Sequence, residues 1–122
     1  MSDEMTLYGY NIYQNLEYRL SSKMLINIKN GRIKRLGETK ARLFEYLLLH
    51  AQTQCVYDSE IIVEVFENHG LRCAKSYLSS IIGQLREAFL TVGFDRELIV
   101  RVERKSYILE QGAIQEIYSK QH

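Results

Sequence analysis

The 122-residue chain contains no proline and no tryptophan, only two cysteines and only three histidines. Without proline there is no rigid linker, and element ends must be set by the seven glycines and by Asn and Asp. Cys55 and Cys73 have no CxxC spacing and lie in or beside apolar stretches. That fits reduced, buried thiols of a cytosolic protein rather than a disulfide framework. His50, His69 and His122 stand apart, with no HExxH and no Cys/His cluster of metal-ligand spacing. No Walker loop, GxGxxG or GxSxG occurs. The longest apolar run is the four residues Tyr46–Leu49, against the ~20 that a membrane-spanning helix needs. The opening MSDEMTLYGY lacks a basic-then-apolar leader pattern. There is no internal repeat. These absences point to a cytoplasmic non-enzyme with no cofactor, no metal and no small-molecule substrate.

What is present is an ordinary globular composition, 46% apolar and 25% charged, at a length suited to one domain. Such a chain buries roughly two-thirds of its unfolded surface. The net charge of +1 conceals a strong division. Residues 17–42 hold eight Lys/Arg against two acids, residues 43–71 hold five acids and no Lys or Arg, and residues 72–107 return to a charge of +3. If these segments fold onto opposite surfaces, the molecule has a basic and an acidic face.

Residues 6–36 alternate as β-structure: Tyr8, Tyr10 and Ile12, then Leu16, Tyr18 and Leu20, then Met24, Ile26 and Ile28. Asn30-Gly31 gives a two-residue hairpin signal before Ile33 and Leu36, and Lys29, Arg32, Lys34 and Arg35 make the outer side basic. A first helix is expected over Glu38–Ala51 with Gly37 as N-cap and Leu43, Phe44, Leu47 and Leu48 inward. Cys55 and Val56 can add a short strand. Asp58 is a good N-cap for a second helix, Ser59–Glu67, which Gly70 ends. The third helix runs from about Ala74 to Thr91. Ile99–Val102 and Tyr107–Leu109 read as two strands joined by the charged tip Glu103-Arg104-Lys105-Ser106. The tail Glu110–His122 reads as weakly helical and loosely attached, outside a domain of residues 1–110.

The third helix carries the chemistry. Leu78, Ile82, Leu85 and Phe89 recur at helical spacing, while Ser76, Ser80, Gly83 and Gln84, flanked by Ser79, make a small polar face opposite them. A duplex major groove admits such a helix. Two helices joined through a Gly-containing turn and followed by a hairpin with a basic tip are the parts of a winged helix-turn-helix. The fold class is therefore α+β: an N-terminal antiparallel sheet, three helices and a C-terminal hairpin wing.

Leu36–Leu109 resembles the OmpR/PhoB-type winged-helix domain of bacterial transcription regulators. Leu36, Leu43 and Phe44 match the opening motif of its first helix, with Gly37 and Lys40 where the capping Thr and Glu are usual. Val65-Phe66 stands for its Val-Trp pair. Ile82, Leu85, Arg86 and Phe89 match the core of its recognition helix, and Val102, Tyr107 and Leu109 its closing wing, with Ser106 where glycine is usual. Arg104-Lys105 at the tip is more similar to the ToxR/CadC branch. The resemblance implies sequence-specific binding of double-stranded DNA, RNA polymerase as a further partner through Glu67–Cys73 and the acidic second helix, and a homodimer on DNA. No receiver domain precedes the resembling segment. A free-standing regulator and the cytoplasmic part of a membrane-anchored one both fit.

On this reading Ser76, Ser79, Ser80, Gly83 and Gln84 face bases or phosphates, and Lys75, Arg86, Arg101, Arg104 and Lys105 lie on phosphates. Gly83, Gln84 and Glu87 stand where relatives often carry basic residues. The alternative is a winged-helix module whose Ser/Gly face packs on a regulatory protein, since glycine permits close helix approach and Glu87 repels phosphate.

Overall fold

The alternation in the first forty residues becomes a sheet in the computed structural model, which describes residues 4–120. β1 (Met5–Ile12), β2 (Leu16–Arg19), β3 (Met24–Asn27) and β4 (Ile33–Arg35) pair antiparallel in succession. Tyr10, Ile12, Leu16 and Tyr18 are buried, as their period requires. In β3 the phase differs from the expected one. Tyr18 pairs with Leu25, which puts Leu25 and Asn27 on the inner face and leaves Met24 and Ile26 half-buried. A polar residue occupies an inward position, so the apolar period pointed one residue off. Ile28 and Ile33 are exposed in consequence.

The β3–β4 connection is also longer than the two-residue turn expected from Asn30-Gly31. Asn27 N–H donates to Arg32 O at 2.9 Å and Gly31 N–H to Asn27 O at 2.8 Å, closing a loop over Ile28, Lys29, Asn30 and Gly31. Gly31 is left-handed there, with φ of 76°.

The tail is a strand, not a helix. β8 (Ile114–Lys120) pairs antiparallel with β1 from Ile12↔Ile114 to Met5↔Lys120, giving a five-stranded sheet of order β4-β3-β2-β1-β8. Its half-buried Ile114 and Ile117 are three residues apart, a helical spacing. Strand pairing wins because β1 offers an open edge from the far end of the chain. A bulge lies between Leu7 and Gly9. At Gly9 a Cβ would sit 2.1 Å from Tyr18 O, so only glycine allows this backbone approach.

Three helices follow, the first of which packs Phe44 on Tyr18 of the inner face. α1 (Glu38–His50) follows Gly37 as N-cap and buries Ala41, Leu43, Phe44, Leu47 and Leu48. After the short β5 (Val56–Tyr57), α2 (Asp58–Ile61) widens into a π turn over Ile62–Phe66 and tightens into a 3-10 turn over Glu67–His69. Gly70, left-handed at φ of 76°, ends it. Asp58 does not cap this helix with its side chain; Tyr57 is the N-cap residue. α3 (Lys75–Thr91) buries Leu78, Ile81, Ile82, Leu85, Ala88 and Phe89.

β6 (Ile99–Val102) and β7 (Ser106–Leu109) form the hairpin, and β5 adds to β7 in a second sheet of order β5-β7-β6. Ser106 pairs with Val102 and is buried, so the tip is Glu103-Arg104-Lys105 alone.

Phe44 sits where sheet and helices meet. Its ring packs edge-on against Tyr18 at 5.0 Å and against Phe89 at 5.3 Å. Burial of each such side chain contributes roughly 1.5–3 kcal/mol. Tyr18 Oη donates to Glu45 at 2.6 Å, and Lys23 Nζ pairs with the same carboxylate at 2.7 Å, tying sheet to α1. Cys55 and Cys73 are free and half-buried rather than fully buried, and burial raises the Cys73 thiol pKa. Among the described residues no helix is long and apolar enough to cross a membrane.

Candidate nucleic-acid interface

The polar stripe of α3 faces solvent. Lys75, Ser76, Ser79, Ser80 and Gln84 are exposed and Gly83 is half-buried. A Cβ built on Gly83 would meet nothing within 4 Å. Glycine in a helix interior costs about 0.5–1 kcal/mol relative to alanine. Nothing in the protein's own packing requires it at this position.

The wing tip is held by a convergence that the spacing of residues did not disclose. Glu103 and Arg104 are both left-handed, at φ of 51° and 59°. Each such residue costs roughly 1–2 kcal/mol when it is not glycine. The surroundings impose the turn. Lys105 N–H donates to Val102 O at 3.1 Å, Asp58 N–H donates to Lys105 O at 2.9 Å, and Arg101 Nη2 donates to Arg104 O at 2.6 Å. Arg101 also grips the buried Asp58 carboxylate with both nitrogens, at 2.5 and 2.8 Å, and lies over the Tyr107 ring at 4.4 Å. The Asp58 hydrogen bond in turn raises the Arg101 pKa.

Arg101 and Arg86 therefore have protein partners where the sequence reading placed them on phosphates. Arg86 Nη2 donates to Ile99 O at 2.7 Å, stitching α3 to β6. The tip itself stays available: Arg104 and Lys105 are exposed. Lys105 Nζ lies 3.4 Å from Glu103, an exposed pair worth less than about 1 kcal/mol. Among the described residues the Arg104 guanidinium has no ion-pair partner. The structure thus brings Lys75, Ser76, Ser79, Ser80, Gly83 and Gln84 onto one helix face and sets Arg104 and Lys105 at the wing. It gives Arg86 and Arg101 protein partners as struts, Arg86 half-buried and Arg101 still exposed.

Two functional contributors were missed. Asp58 had a local role as a cap in its favour, and only the folded chain puts Arg101 beside it. Asn27 looked like an outward strand residue, yet its Nδ2 donates to Val92 O at 2.8 Å and holds the end of α3. On the acidic side, Glu60, Glu64 and Glu67 are exposed, and Tyr46 donates to Glu60. Burial first and that hydrogen bond second raise the Tyr46 pKa. No group of three metal-ligating side chains occurs among the described residues. An open apolar cleft of ≈ 340 Å³ between α3 and β6 is lined by Phe89, Leu90, Phe94, Leu98 and Ile99 beside Arg86.

An N-terminal antiparallel sheet, three helices and a hairpin wing make this a winged helix-turn-helix of the α+β class. The OmpR/PhoB-type likeness read from the sequence has its counterpart in three dimensions. The DNA-binding domain of E. coli CadC superposes with a TM-score of 0.74 at 14% identity, over 95% of this chain and 100% of that one. The C-terminal domain of the nisin resistance regulator NsrR, a lantibiotic response regulator, gives 0.58 at 22% identity, over 88% of this chain and 97% of that one. At these identities the likeness is one of fold. No protein-family model and no curated protein sequence matches the chain.

Proposed function

We propose that this protein is a transcription regulator that binds double-stranded DNA sequence-specifically, with α3 in the major groove and the wing on the flanking backbone or minor groove. The observation that carries the reading is the pairing of an exposed, small, polar helix face with a wing whose two basic residues are held outward by the Asp58–Arg101 clamp. The solved CadC domain of the same fold, described as DNA-binding, supports it.

The division of labour follows from magnitudes. A bidentate side-chain contact to a base discriminates by about 1–3 kcal/mol. On the exposed face of α3 only Gln84 has the amide that pairs with adenine in this way. Ser76, Ser79 and Ser80 serve bases or phosphates, and Gly83 lets the helix approach. Affinity then rests on Lys75, Arg104 and Lys105, with Arg86 and Arg101 positioning the wing. So few base contacts favour two copies on adjacent half-sites. The acidic surface around Glu60, Glu64 and Glu67 is the face left for RNA polymerase.

The test is titration of genomic fragments enriched by the protein, with Arg104→Gln/Lys105→Gln as the comparison. Loss of about tenfold or more in affinity, with an unchanged thermal melt, is the expected result. Enrichment of no fragment would overturn the reading in favour of a protein-binding module.

A further inference from the structure

The wing supplies cations on one side of α3 only, yet the other side has its own. An open hollow is lined by Lys34 of β4, Lys40 of α1, and Gln84, Glu87, Ala88 and Thr91 of α3. At ~100° per residue, Gln84 lies ~160° around the helix from Arg86, the residue bonded to the wing strand. Ser79, Gly83, Ser76 and Ser80 occupy the arc between. The small polar face is thus flanked by the wing on one side and by Lys34 and Lys40 on the other.

These two lysines differ from the three paired cations of the same segment, and unlike Lys29, Arg32 and Arg35, equally unpaired among the described residues, they line the hollow beside α3. Arg19 is paired with Glu17, Lys23 with Glu45 and Arg42 with Glu38. Among the described residues Lys34 and Lys40 have neither an ion pair nor a side-chain hydrogen bond. Nor is their position loose. Asn27 Nδ2 and Asn30 Nδ2 both donate to Val92 O, at 2.8 and 3.1 Å, locking the β3–β4 hairpin to the end of α3. Lys40 stands in the first turn of α1, whose Phe44 packs on Phe89 of α3. Two lysines with unpaired ammonium groups thus extend from anchored backbone beside the helix that faces the groove.

We infer that Lys34 and Lys40 form a second phosphate-binding edge, which takes the backbone of the strand across the major groove from the wing. The inference rests on the DNA-binding reading above and deepens it. Glu87 shares the hollow as its single opposing charge. It lies within the arc that faces the groove, where a carboxylate accepts from the amino group of cytosine. Thr91 takes no part, since its hydroxyl donates back to Glu87 O at 2.9 Å.

Phosphate contacts strengthen binding to every sequence alike and steepen its salt dependence by about 0.9 per contact. The experiment is DNA titration from 50 to 200 mM salt with the full chain, Lys34→Gln/Lys40→Gln and Arg104→Gln/Lys105→Gln, on an enriched fragment and an unrelated one. For Lys34→Gln/Lys40→Gln the log–log slope should fall by about 1.8, with similar affinity losses on both fragments and an unchanged melt. The affinity lost across that salt range then shrinks about tenfold. A wild-type slope retained by Lys34→Gln/Lys40→Gln, while the wing variant lowers it, overturns the second edge and leaves the regulator standing. If the unsubstituted chain binds neither fragment, both fall together.

Discussion

Gly83 is a residue the fold would replace if folding alone decided. A Cβ there meets open space, and alanine is the better helix former by about 0.5–1 kcal/mol. Gly83→Ala is therefore expected to raise stability by up to about 1 kcal/mol in a denaturant titration. If the helix must come within backbone reach of a duplex, the same change lowers DNA affinity; equal affinity would remove Gly83 from the interface. Asp58 is the opposite case. Its carboxylate is 3% exposed and its partner 34%, so the pair is buried on one side only. Removing a partner from a fully buried pair costs about 3–5 kcal/mol, and the wet side of Arg101 reduces this to about 2–3. Asp58→Ala should lower stability by that amount and weaken DNA binding through the wing. An unchanged denaturation midpoint would show the clamp to be ornamental. Asp58 was read as a helix cap because caps are local, whereas its true partner lies 43 residues away. The serine face of α3 and the basic tip were legible because helix period and turn composition are local signals.

At the scale of elements, legibility followed the same division. α1, α3 and the wing strands were read from period and end signals within each segment. β3 was read one residue out of phase because Asn27 is polar yet faces inward, rewarded by a bond to Val92 O that no local pattern announces. Its Oδ1 also accepts from the Lys29 and Asn30 amides at 2.9 and 3.3 Å, so one side chain organises the whole loop. Asn27→Ala should cost about 1–3 kcal/mol. Amide exchange at Lys29 and Asn30 should accelerate first. Uniform protection across the loop in the variant would contradict this role. β8 was misread for a different reason: its isoleucines are spaced as in a helix, and the edge it needs belongs to β1. A chain ending at Ala113 would leave β1 with a row of unpaired backbone groups. Its melting temperature should fall and it should self-associate in size-exclusion chromatography. A monomer with the parent's melting point would make β8 dispensable.

For the molecule as a whole, the junction of the sheet with α1 carries a polar point that titrates. Tyr18 is buried against Phe44 and donates to Glu45. Burial first, then the hydrogen bond to Glu45 and the nearby carboxylate charge, raise its pKa well above the ordinary 10.0. Burial likewise raises Tyr10 and Tyr107. In the unfolded chain these phenols ionise near 10.0, while in the fold they hold their protons. The stability they confer is therefore complete below pH 10 and is lost as pH climbs toward the folded values. Stability should stay level for these groups from neutral pH to about 9 and then drop. One phenol that ionises only in the unfolded state contributes a slope of about 1.4 kcal/mol per pH unit. Tyr18→Phe keeps the ring and removes the proton, so the alkaline fall should become shallower by about that amount. The Lys23–Glu45 pair remains in that variant to hold α1 on the sheet. Guanidinium titrations at pH 7, 10 and 11 on both proteins measure the two slopes. If the slopes coincide, Tyr18 ionises in the fold as readily as outside it, and the junction is open to water.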